Sequence, residues 1–306
     1  MRPIKSDSLG IGLRTDHIAD LCKPNHRKDI AFLELAPDNW MNIGGKKREQ
    51  LETLADHYPL VAHGLSLSIG DTAPLNLDYI NNIKTFLDDY AIDVYSEHLS
   101  FSRDDQGYLY DLLPIPRRPE NIPYLADRIK TVQDILERPL ILENITYYHR
   151  YSQEMPEQEF IAALIEASDC RLLLDINNLY INSKNHHYDP VAFMMDIPKH
   201  AIDYYHIAGH GVEKNDTLID THGHPVSAPV MALGQKIINS HGKKPVLLER
   251  DNNIPPLQTF CTELKVLSKH LSYGVSNESS DNITIRNRDH DTSDKISDGH
   301  ICSAGH

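Results

Sequence analysis

The chain has 306 residues, 40% of them hydrophobic and 24% charged, with a formal net charge of −14 at pH 7. This length accommodates one α/β barrel of about 250 residues, and the composition is typical of a globular protein. No apolar run approaches the roughly 20 residues that cross a bilayer, and the negative charge repels phosphate backbones, so neither a membrane span nor a nucleic acid partner is expected.

The N-terminus and the cysteines indicate a cytoplasmic protein with reduced thiols. Residues 1–7 lack the apolar core of a secretion signal. The cysteines lie far apart in the sequence and form no CxxC pair, so a disulfide framework or a zinc ribbon is not expected. They are Cys22, Cys170, Cys261 and Cys302.

Eight short apolar runs, separated by segments with helical periodicity, predict eight β-strands. The runs are residues 11–14, 31–35, 60–63, 94–98, 140–143, 172–175, 204–206 and 246–249. Between the fourth and fifth runs, for example, Ile122, Leu125, Ile129 and Val132 recur every three or four residues. Strands that alternate with helices form parallel βαβ units, and eight such units predict a (βα)8 TIM barrel.

Long polar segments follow several of the predicted strands and are interpreted as loops that build a site. They cover residues 37–45, 64–74, 100–116 and 182–190. From residue 272 onward, polar residues dominate and the apolar periodicity stops. The predicted organisation is therefore a barrel domain over residues 1–271 and a polar, disordered tail over residues 272–306.

Six of the runs end in a side chain that can bind a metal, at the barrel end where active sites are built. These residues are His63, His98, Glu143, Asp175, His206 and Glu249. A single histidine at a strand end is more often a hydrogen-bonded core residue. A cluster of buried carboxylates, in contrast, would repel and become protonated unless cations held it. The set therefore predicts a multinuclear metal site.

Three further residues extend the predicted ligand set. Asp220 and His222 are two residues apart, so both face one way in an extended segment, and Asn178 offers an amide oxygen three residues after Asp175. Mixed nitrogen and oxygen ligation without a thiolate suits iron, zinc or manganese, and ligand type does not choose among them. Asp251 and His210 are predicted to transfer protons as catalytic residues.

Glu97 precedes His98 in the fourth run. Neighbouring residues of a strand point to opposite faces, so Glu97 is predicted not to bind the metal directly.

The motifs that surround these residues are specific enough to indicate a family. They read GIGLR at 10–14, ELAPDNW at 34–40, HGLSLSIG at 63–70, SEHLS at 96–100, DLLPIP at 111–116, LEN at 142–144, LDINN at 174–178, HIAGH at 206–210, DTHG at 220–223 and ERDNNIP at 249–255. With these motifs, the chain resembles the multinuclear non-haem iron-dependent oxidative enzymes over about residues 8 to 260. The methanobactin-biosynthesis iron oxidase is a relative of the same family.

The resemblance implies a xylose-isomerase-like barrel that holds two or three iron ions, mixed ferrous and ferric. It implies that His63, His98 and Glu143 hold one iron, and that Glu143 bridges to a second held with Asp175, His206 and Glu249. A third, more labile ion would be held by Asn178, Asp220 and His222. Barrel endonucleases that cut abasic DNA have a similar trinuclear site with histidine at the position of Asn178.

The resemblance also implies an activity. Characterised members use dioxygen to oxidise cysteine residues in ribosomally made precursor peptides, and the methanobactin branch requires a partner protein. The expected partners of this chain are therefore a cysteine-containing precursor peptide and a small protein that binds its leader. The Asn177–Asn178 pair and the loop at residues 37–40 are closer to the broad bacterial branch, whose peptides are linked to copper handling.

Two other functions remain compatible with this ligand pattern. The first is a divalent-metal-dependent hydrolase of abasic DNA, or a sugar isomerase. The net charge of −14, the absence of a basic stripe and Asn178 argue against the nuclease, and no lysine lies among the predicted ligands to polarise a sugar carbonyl. The second is a metal store without catalytic activity.

Overall fold

The computed structural model describes residues 3–23, 29–104 and 107–273. Its strands are β1 (Leu9–Gly12), β2 (Phe32–Leu35), β3 (Leu60–His63), β4 (Tyr95–His98), β5 (Ser100–Asp104), β6 (Gly107–Pro114), β7 (Ile141–Glu143), β8 (Arg171–Asp175), β9 (Ile202–Ile207), β10 (Gly211–Val212), β11 (Leu218–Ile219) and β12 (Val246–Leu248). Eight of them close into a parallel barrel in the order β1-β12-β9-β8-β7-β4-β3-β2. The predicted (βα)8 barrel is confirmed.

Helices connect the barrel strands on the outside, as parallel crossovers require. They are α1 (Thr15–Leu21), α2 (Gly45–His57), α3 (Leu77–Asp89), α4 (Asn121–Leu136), α5 (Glu157–Ser168), α6 (Ile176–Asn185), α7 (Pro190–Met195), α8 (Ala228–His241) and α9 (Leu257–Leu271). A short 3-10 turn, Pro37–Asn39, follows β2. None of the helices in the described part of the chain is long and apolar enough to cross a membrane.

Helix α3 illustrates why these segments fold as helices. The side chain of Asn76 accepts a hydrogen bond from the backbone N–H of Tyr79 at 3.0 Å and satisfies a donor at the helix N-terminus. Apolar residues spaced three or four apart then form one buried face: Ile80, Ile83, Phe86 and Leu87. Burial of each such side chain contributes about 1.5–3 kcal/mol, so the packed face rather than local propensity holds the helix.

Side chains of the barrel strands alternate between the outer helices and the barrel interior. Six interior residues form a small buried cluster of their own: Phe32, Val61, Ile141, Leu173, Tyr204 and Leu247. Their strand neighbours pack in the larger core between the sheet and the helices. The residues two positions after each interior apolar side chain therefore face inward as well, one layer closer to the C-terminal mouth.

Two short antiparallel hairpins lie outside the eight predicted strands. β5 and β6 pair within the predicted loop 100–116, with Ser100 opposite Pro114 and Phe101 opposite Leu113. β10 and β11 pair after β9. The sequence predicts a long polar loop over residues 100–116, but much of this segment pairs as a hairpin; four of the five residues of β5 are polar, so this strand contains no apolar run.

Other boundaries also differ from the predictions. β1 spans Leu9–Gly12 rather than 11–14, because the pairing of Leu9 with Val246 sets where the strand starts. α6 extends to Asn185, into the predicted loop 182–190. α9 ends at Leu271 and Tyr273 packs in the core. Of the predicted disordered tail, residues 274–306 lie outside the described residues.

Candidate metal centre

The candidate ligands are side chains that face the barrel interior, one layer closer to its C-terminal mouth than the interior apolar cluster. Glu34, His63, Glu143, Asp175, His206 and Glu249 each follow an interior apolar residue by two positions, and His98 follows Ser96 in the same way. Most of these side chains are at least nine-tenths buried, His98 being the exception. The parallel strands thus bring residues from distant parts of the sequence to one level of the barrel.

His63, His98 and Glu143 form the first group of converging donor atoms. The Nε2 atoms of the two histidines lie 3.1 Å apart. Oε2 of Glu143 lies 3.2 Å from Nε2 of His63 and 3.4 Å from Nε2 of His98. Two ligands bound at about 2.1 Å to one ion lie about 3.0–3.4 Å apart in octahedral or tetrahedral geometry. The triangle therefore has the size that one first-row metal ion requires.

Asp175 contributes one oxygen to the next groups and uses the other to begin a helix. Its Oδ1 accepts the backbone N–H of Asn178 at 2.6 Å and caps α6. The helix N-terminus stabilises the negative charge. The Oδ2 atom makes no hydrogen bond and lies 3.9 Å from Nε2 of His222. Asp175 belongs to a donor group with Glu143 and His206, and to another with His222 and Glu249.

His206 and Glu249 lie between these groups. Nδ1 of His206 is 2.9 Å from Oε2 of Glu249, and the same oxygen is 3.3 Å from Nδ1 of His222. Glu143 belongs both to the first group and to the group with Asp175 and His206, as a bridging carboxylate would. The predicted ligands of the first two ions are therefore brought together in one cluster.

The three residues predicted to hold a further ion lie at the edge of this cluster. Nε2 of His222 is 2.7 Å from Oδ1 of Asp220, and His222 has a φ of 43°, a strained conformation for a residue with a side chain. Asn178 donates from Nδ2 to Glu143 Oε1 at 3.2 Å, while its Oδ1 makes no hydrogen bond. Strain and an unpartnered amide oxygen are both typical of a functional site.

The electrostatics of the cluster depend on these contacts. Burial and the neighbouring His63 lower the pKa of His98 to about 4, so that imidazole is neutral at pH 7. Burial opposes the charged form of Glu249, but His206 and His222 outweigh it and hold its pKa well below the usual range. Burial raises the pKa of Asp175 to about 8. A neutral imidazole beside carboxylates is the ligand combination that binds divalent cations.

Four buried atoms within the cluster and at its edge make no hydrogen bond of standard geometry. They are Asp175 Oδ2, Asn178 Oδ1, His206 Nδ1 and His222 Nε2. A buried polar atom without a partner costs about 1–3 kcal/mol, so several in one place indicate a missing partner. Because His206 Nδ1 and His222 Nε2 face carboxylate oxygens at 2.9 and 2.7 Å, the partner that fits is a cation shared with those carboxylates.

Metal affinity is expected to rise with pH from about pH 6 to about pH 9. Burial opposes the charge of His63, but Glu143 outweighs it and raises its pKa to about 9, while burial raises that of Asp175 to about 8. Both groups are protonated below these values, and a metal must displace the protons. Burial opposes the charge of His206 and His222 as well, but neighbouring carboxylates outweigh it and raise both pKa values well above the usual range. Calorimetric titration with zinc in two buffers of different ionisation enthalpy should therefore show about four protons released at pH 7. An affinity that does not change over this range would contradict the ligand assignment.

Glu34 is a cluster residue that the sequence analysis missed. It is 5% exposed, and its Oε2 lies 3.0 Å from Nε2 of His206 and accepts the hydroxyl of Tyr204 at 2.8 Å. The available signal was its position: Glu34 follows the interior residue Phe32 by two positions, as Glu143 follows Ile141. It was overlooked because β2 continues for one more residue, so Glu34 is not at the end of its run.

The remaining predicted residues lie around the cluster. Glu97 points away from it and accepts the Tyr95 hydroxyl at 2.8 Å and the Leu67 N–H at 3.1 Å. Asp251 forms an ion pair with Arg14 and lies 3.2 Å from Nδ1 of His222. His210 Nδ1 lies 2.8 Å from Asn177 Oδ1.

The roles of Asp251 and His210 in proton transfer stay predictions. The two residues differ in position, however. Asp251 lines the cavity above the cluster, whereas His210 is not among the residues that line it.

The cavity above the cluster has a volume of about 440 Å³ and opens to solvent. Its floor includes His98, Glu143, Asn178, His222 and Glu249, and its walls are the hairpin residues 111–114, the segment 145–149 with Tyr151, and residues 220–221 and 251–252. No lysine or arginine lines it within the part of the chain that the structure describes. The cavity is therefore acidic and aromatic rather than basic.

The aromatic wall is held by packing beneath it. The ring of Tyr147 lies between the guanidinium of Arg117, 4.4 Å from the ring centroid, and the ring of His186, stacked at 4.3 Å. The hydroxyl of Tyr148 accepts the backbone N–H of Asp220 at 2.9 Å. These contacts connect the wall to the segment that carries Asp220 and His222.

A family model described as RiPP precursor modification enzyme MbnB/TglH/ChrH matches residues 8–272. The chain belongs to this family. The match covers every barrel strand and every candidate ligand, and the family resemblance seen in the sequence motifs is confirmed.

Relatives of this chain carry the name UPF0276 protein. One from Shewanella oneidensis is 46% identical over 269 residues, covering 88% of this chain and 96% of its own length. Another, from Acinetobacter baylyi, is 44% identical and covers 91% of this chain and 96% of its own. The similarity extends over the barrel and includes nearly the whole length of each relative.

Solved structures confirm the xylose-isomerase-like fold. A D-psicose 3-epimerase from Clostridium cellulolyticum has a TM-score of 0.58 at 11% identity and covers 87% of this chain and 98% of its own. Endonuclease IV from Thermus thermophilus has a TM-score of 0.56 at 13% identity and covers 87% of this chain and 100% of its own. At these identities the likeness concerns the fold alone.

Proposed function

We propose that this protein uses iron and dioxygen to oxidise cysteine residues in a ribosomally synthesised precursor peptide. The observation that carries the proposal is the set of overlapping donor groups that share Glu143 at the floor of an open cavity. Membership in a family of precursor peptide modification enzymes supports a peptide substrate. The nitrogen and oxygen donors, without a thiolate, are compatible with iron.

In this proposal, different residues of the cluster hold different metal ions. His63, His98 and Glu143 would hold one ion, with Glu143 shared with a second ion held by Asp175, His206 and Glu249. A third ion would be held by Asn178, Asp220 and His222. Bound iron would supply a Lewis acid that stabilises a thiolate and the redox capacity to activate dioxygen.

The chain's own residues would bind the peptide and accept protons from it. The cavity walls at residues 111–114 and 145–149 would hold an extended peptide segment with a cysteine above the floor. Asp251 is the candidate base, because it lines the cavity and its side chain is 40% exposed. Burial and the neighbouring Glu249 raise its pKa, which makes Asp251 a better proton acceptor than an ordinary aspartate. A small partner protein would deliver the leader of the peptide.

Cleavage of abasic DNA is less well supported than peptide oxidation. A duplex brings phosphates to the cavity mouth, where lysine or arginine would neutralise them. The cavity instead presents Asp111, Asp220 and Asp251, and no lysine or arginine among the described residues lines it. A lining with three aspartates and without lysine or arginine suits a peptide better than a nucleic acid backbone.

The test is a turnover assay with the peptide itself. The protein is purified without oxygen, loaded with ferrous iron and mixed with a cysteine-containing precursor peptide chosen from the open reading frames next to its gene, together with any neighbouring partner protein. On exposure to oxygen, we expect the peptide to lose mass through removal of hydrogens at a cysteine, as seen by tandem mass spectrometry.

Three controls make the result decisive. A peptide with serine in place of cysteine and a zinc-loaded protein should both give no conversion. Abasic DNA incubated with the zinc-loaded protein should remain intact. Nicking of that DNA, or an unmodified peptide in the presence of bound iron, oxygen and partner, would overturn the proposed function.

A further inference from the structure

A continuous line of buried contacts connects two of the candidate ligand histidines on the side away from the cavity. Nδ1 of His63 lies 2.7 Å from the hydroxyl of Ser96, which lies 2.6 Å from the hydroxyl of Tyr204. The Tyr204 hydroxyl donates to Glu34 Oε2 at 2.8 Å, and the same oxygen lies 3.0 Å from Nε2 of His206. Ser96, Tyr204 and Glu34 are 0%, 3% and 5% exposed.

The short contacts of this line fit one direction of hydrogen bonding, in which the Ser96 hydroxyl donates to Tyr204 at 2.6 Å rather than to the carbonyl of Ala62 at 3.4 Å. Glu34 is the only carboxylate in it, and a carboxylate accepts hydrogen bonds only. Tyr204 therefore donates to Glu34 and accepts from Ser96, and Ser96 accepts from Nδ1–H of His63. From the other side, Nε2–H of His206 donates to Glu34. Each histidine then has its hydrogen on the nitrogen that faces this line, and its other ring nitrogen carries no hydrogen.

We propose that Glu34, Tyr204 and Ser96 are positioning residues that select the ring nitrogen each histidine presents to the metals: Nε2 for His63 and Nδ1 for His206. The geometry agrees, because His63 Nε2 faces His98 and Glu143, and His206 Nδ1 faces Glu249 at 2.9 Å. One carboxylate thereby orients ligands of two neighbouring ions. The inference rests on the metal centre of the proposed function and not on the peptide chemistry.

The alternative role for Glu34 is direct ligation, since its carboxylate also forms a donor group with His206 and Glu249. Its contacts favour positioning. Oε2 of Glu34 already has two partners, the Tyr204 hydroxyl and the His206 ring, whereas Oδ2 of Asp175 has no hydrogen bond. Partners that hold a metal-bound histidine from behind typically change metal affinity by about 10- to 100-fold when they are removed.

The test compares Tyr204→Phe, Ser96→Ala and Glu34→Gln with Tyr205→Phe as a matched control. Tyr205 is the next residue of β9, points out of the barrel and donates its hydroxyl to the carbonyl of Gly242 at 3.1 Å. Bound iron per chain is counted after anaerobic loading, affinity is measured by competition with a chelator, and histidine tautomers are read from ¹⁵N NMR spectra of the zinc-loaded protein.

We expect Tyr204→Phe to keep the number of ions and to bind iron about 10- to 100-fold more weakly. Ser96→Ala should alter only the His63 tautomer, because it lies on that branch alone, and Glu34→Gln should alter both. Tyr205→Phe should match the unmodified protein.

Loss of one ion per chain in Glu34→Gln would overturn the inference by making Glu34 a ligand. The inference would also be overturned if Tyr204→Phe and Ser96→Ala left both the iron affinity and the histidine tautomers unchanged. If Tyr204→Phe does not fold, the His63 tautomer in Ser96→Ala, the smallest of the changes, tests the inference instead. Iron that binds as expected while peptide stays unmodified would instead reject the proposed function and leave this inference intact.

Discussion

Glu143→Gln is expected to remove at least one metal ion per chain and to abolish peptide oxidation. Glu143 is 2% exposed, and it is the carboxylate shared by the first donor group and the group of Asp175 and His206. Glutamine keeps the volume of the side chain but removes the charge and one ligand oxygen, so it cannot bridge two cations. Loss of a catalytic metal costs several kcal/mol, which corresponds to at least about a thousandfold in rate.

Elemental analysis and the peptide mass assay measure the two effects on one sample. Glu97→Gln is the matched control, because Glu97 is also 2% exposed and precedes the candidate ligand His98, yet it faces away from the cluster. Its amide oxygen can still accept from Tyr95 and Leu67, so metal content should not change. If Glu143→Gln keeps all its iron and its activity, the shared-ligand assignment is wrong.

Gly209→Ala is expected to lower the stability of the barrel by about 3 kcal/mol. A Cβ at this position would lie 2.2 Å from the carbonyl oxygen of His224 and 2.4 Å from that of Pro225. These are backbone atoms of the segment that follows His222, so the overlap cannot be relieved by a side-chain rotation. Either the main chain after β9 or the segment with His222 has to shift.

Thermal unfolding followed by circular dichroism measures this effect, with an expected fall in Tm of roughly 6–12 °C for a domain of this size. Gly44→Ala is the control, because the Cβ of an alanine there meets no atom within 4 Å and its φ of −139° suits any residue. Equal melting temperatures for the two variants would show that the segment at 224–225 moves freely. Weaker metal binding by Gly209→Ala is expected as well, since His222 would be displaced.

The barrel could be predicted because its signals are local. Each strand is a short apolar run and each helix an apolar stripe, and both patterns depend only on neighbours within a few residues. The hairpin of β5 and β6 was missed because four of the five residues of β5 are polar, so its first strand contains no apolar run. Strand limits such as that of β1 depend on the partner strands, which no local pattern contains.

Most of the candidate ligands could be predicted for a similar reason. A (βα)8 barrel places the C-terminal ends of its strands together, so a histidine or carboxylate at each end predicts a cluster. Glu34 shows the limit of that rule, because it lies one residue before the end of β2. Counting positions from the interior residue Phe32, rather than from the end of the run, would have included it.

Residue types, spacing and periodicity in the chain were sufficient for the fold, the family and the chemical character of the site. The contacts of Ser96 with Tyr204, of Tyr204 with Glu34, and of Tyr147 with Arg117 and His186 could be known only from the folded barrel. The physical reason is that periodicity determines which way a side chain points. Which distant side chain it meets depends on strand register and barrel closure, which are properties of the whole chain.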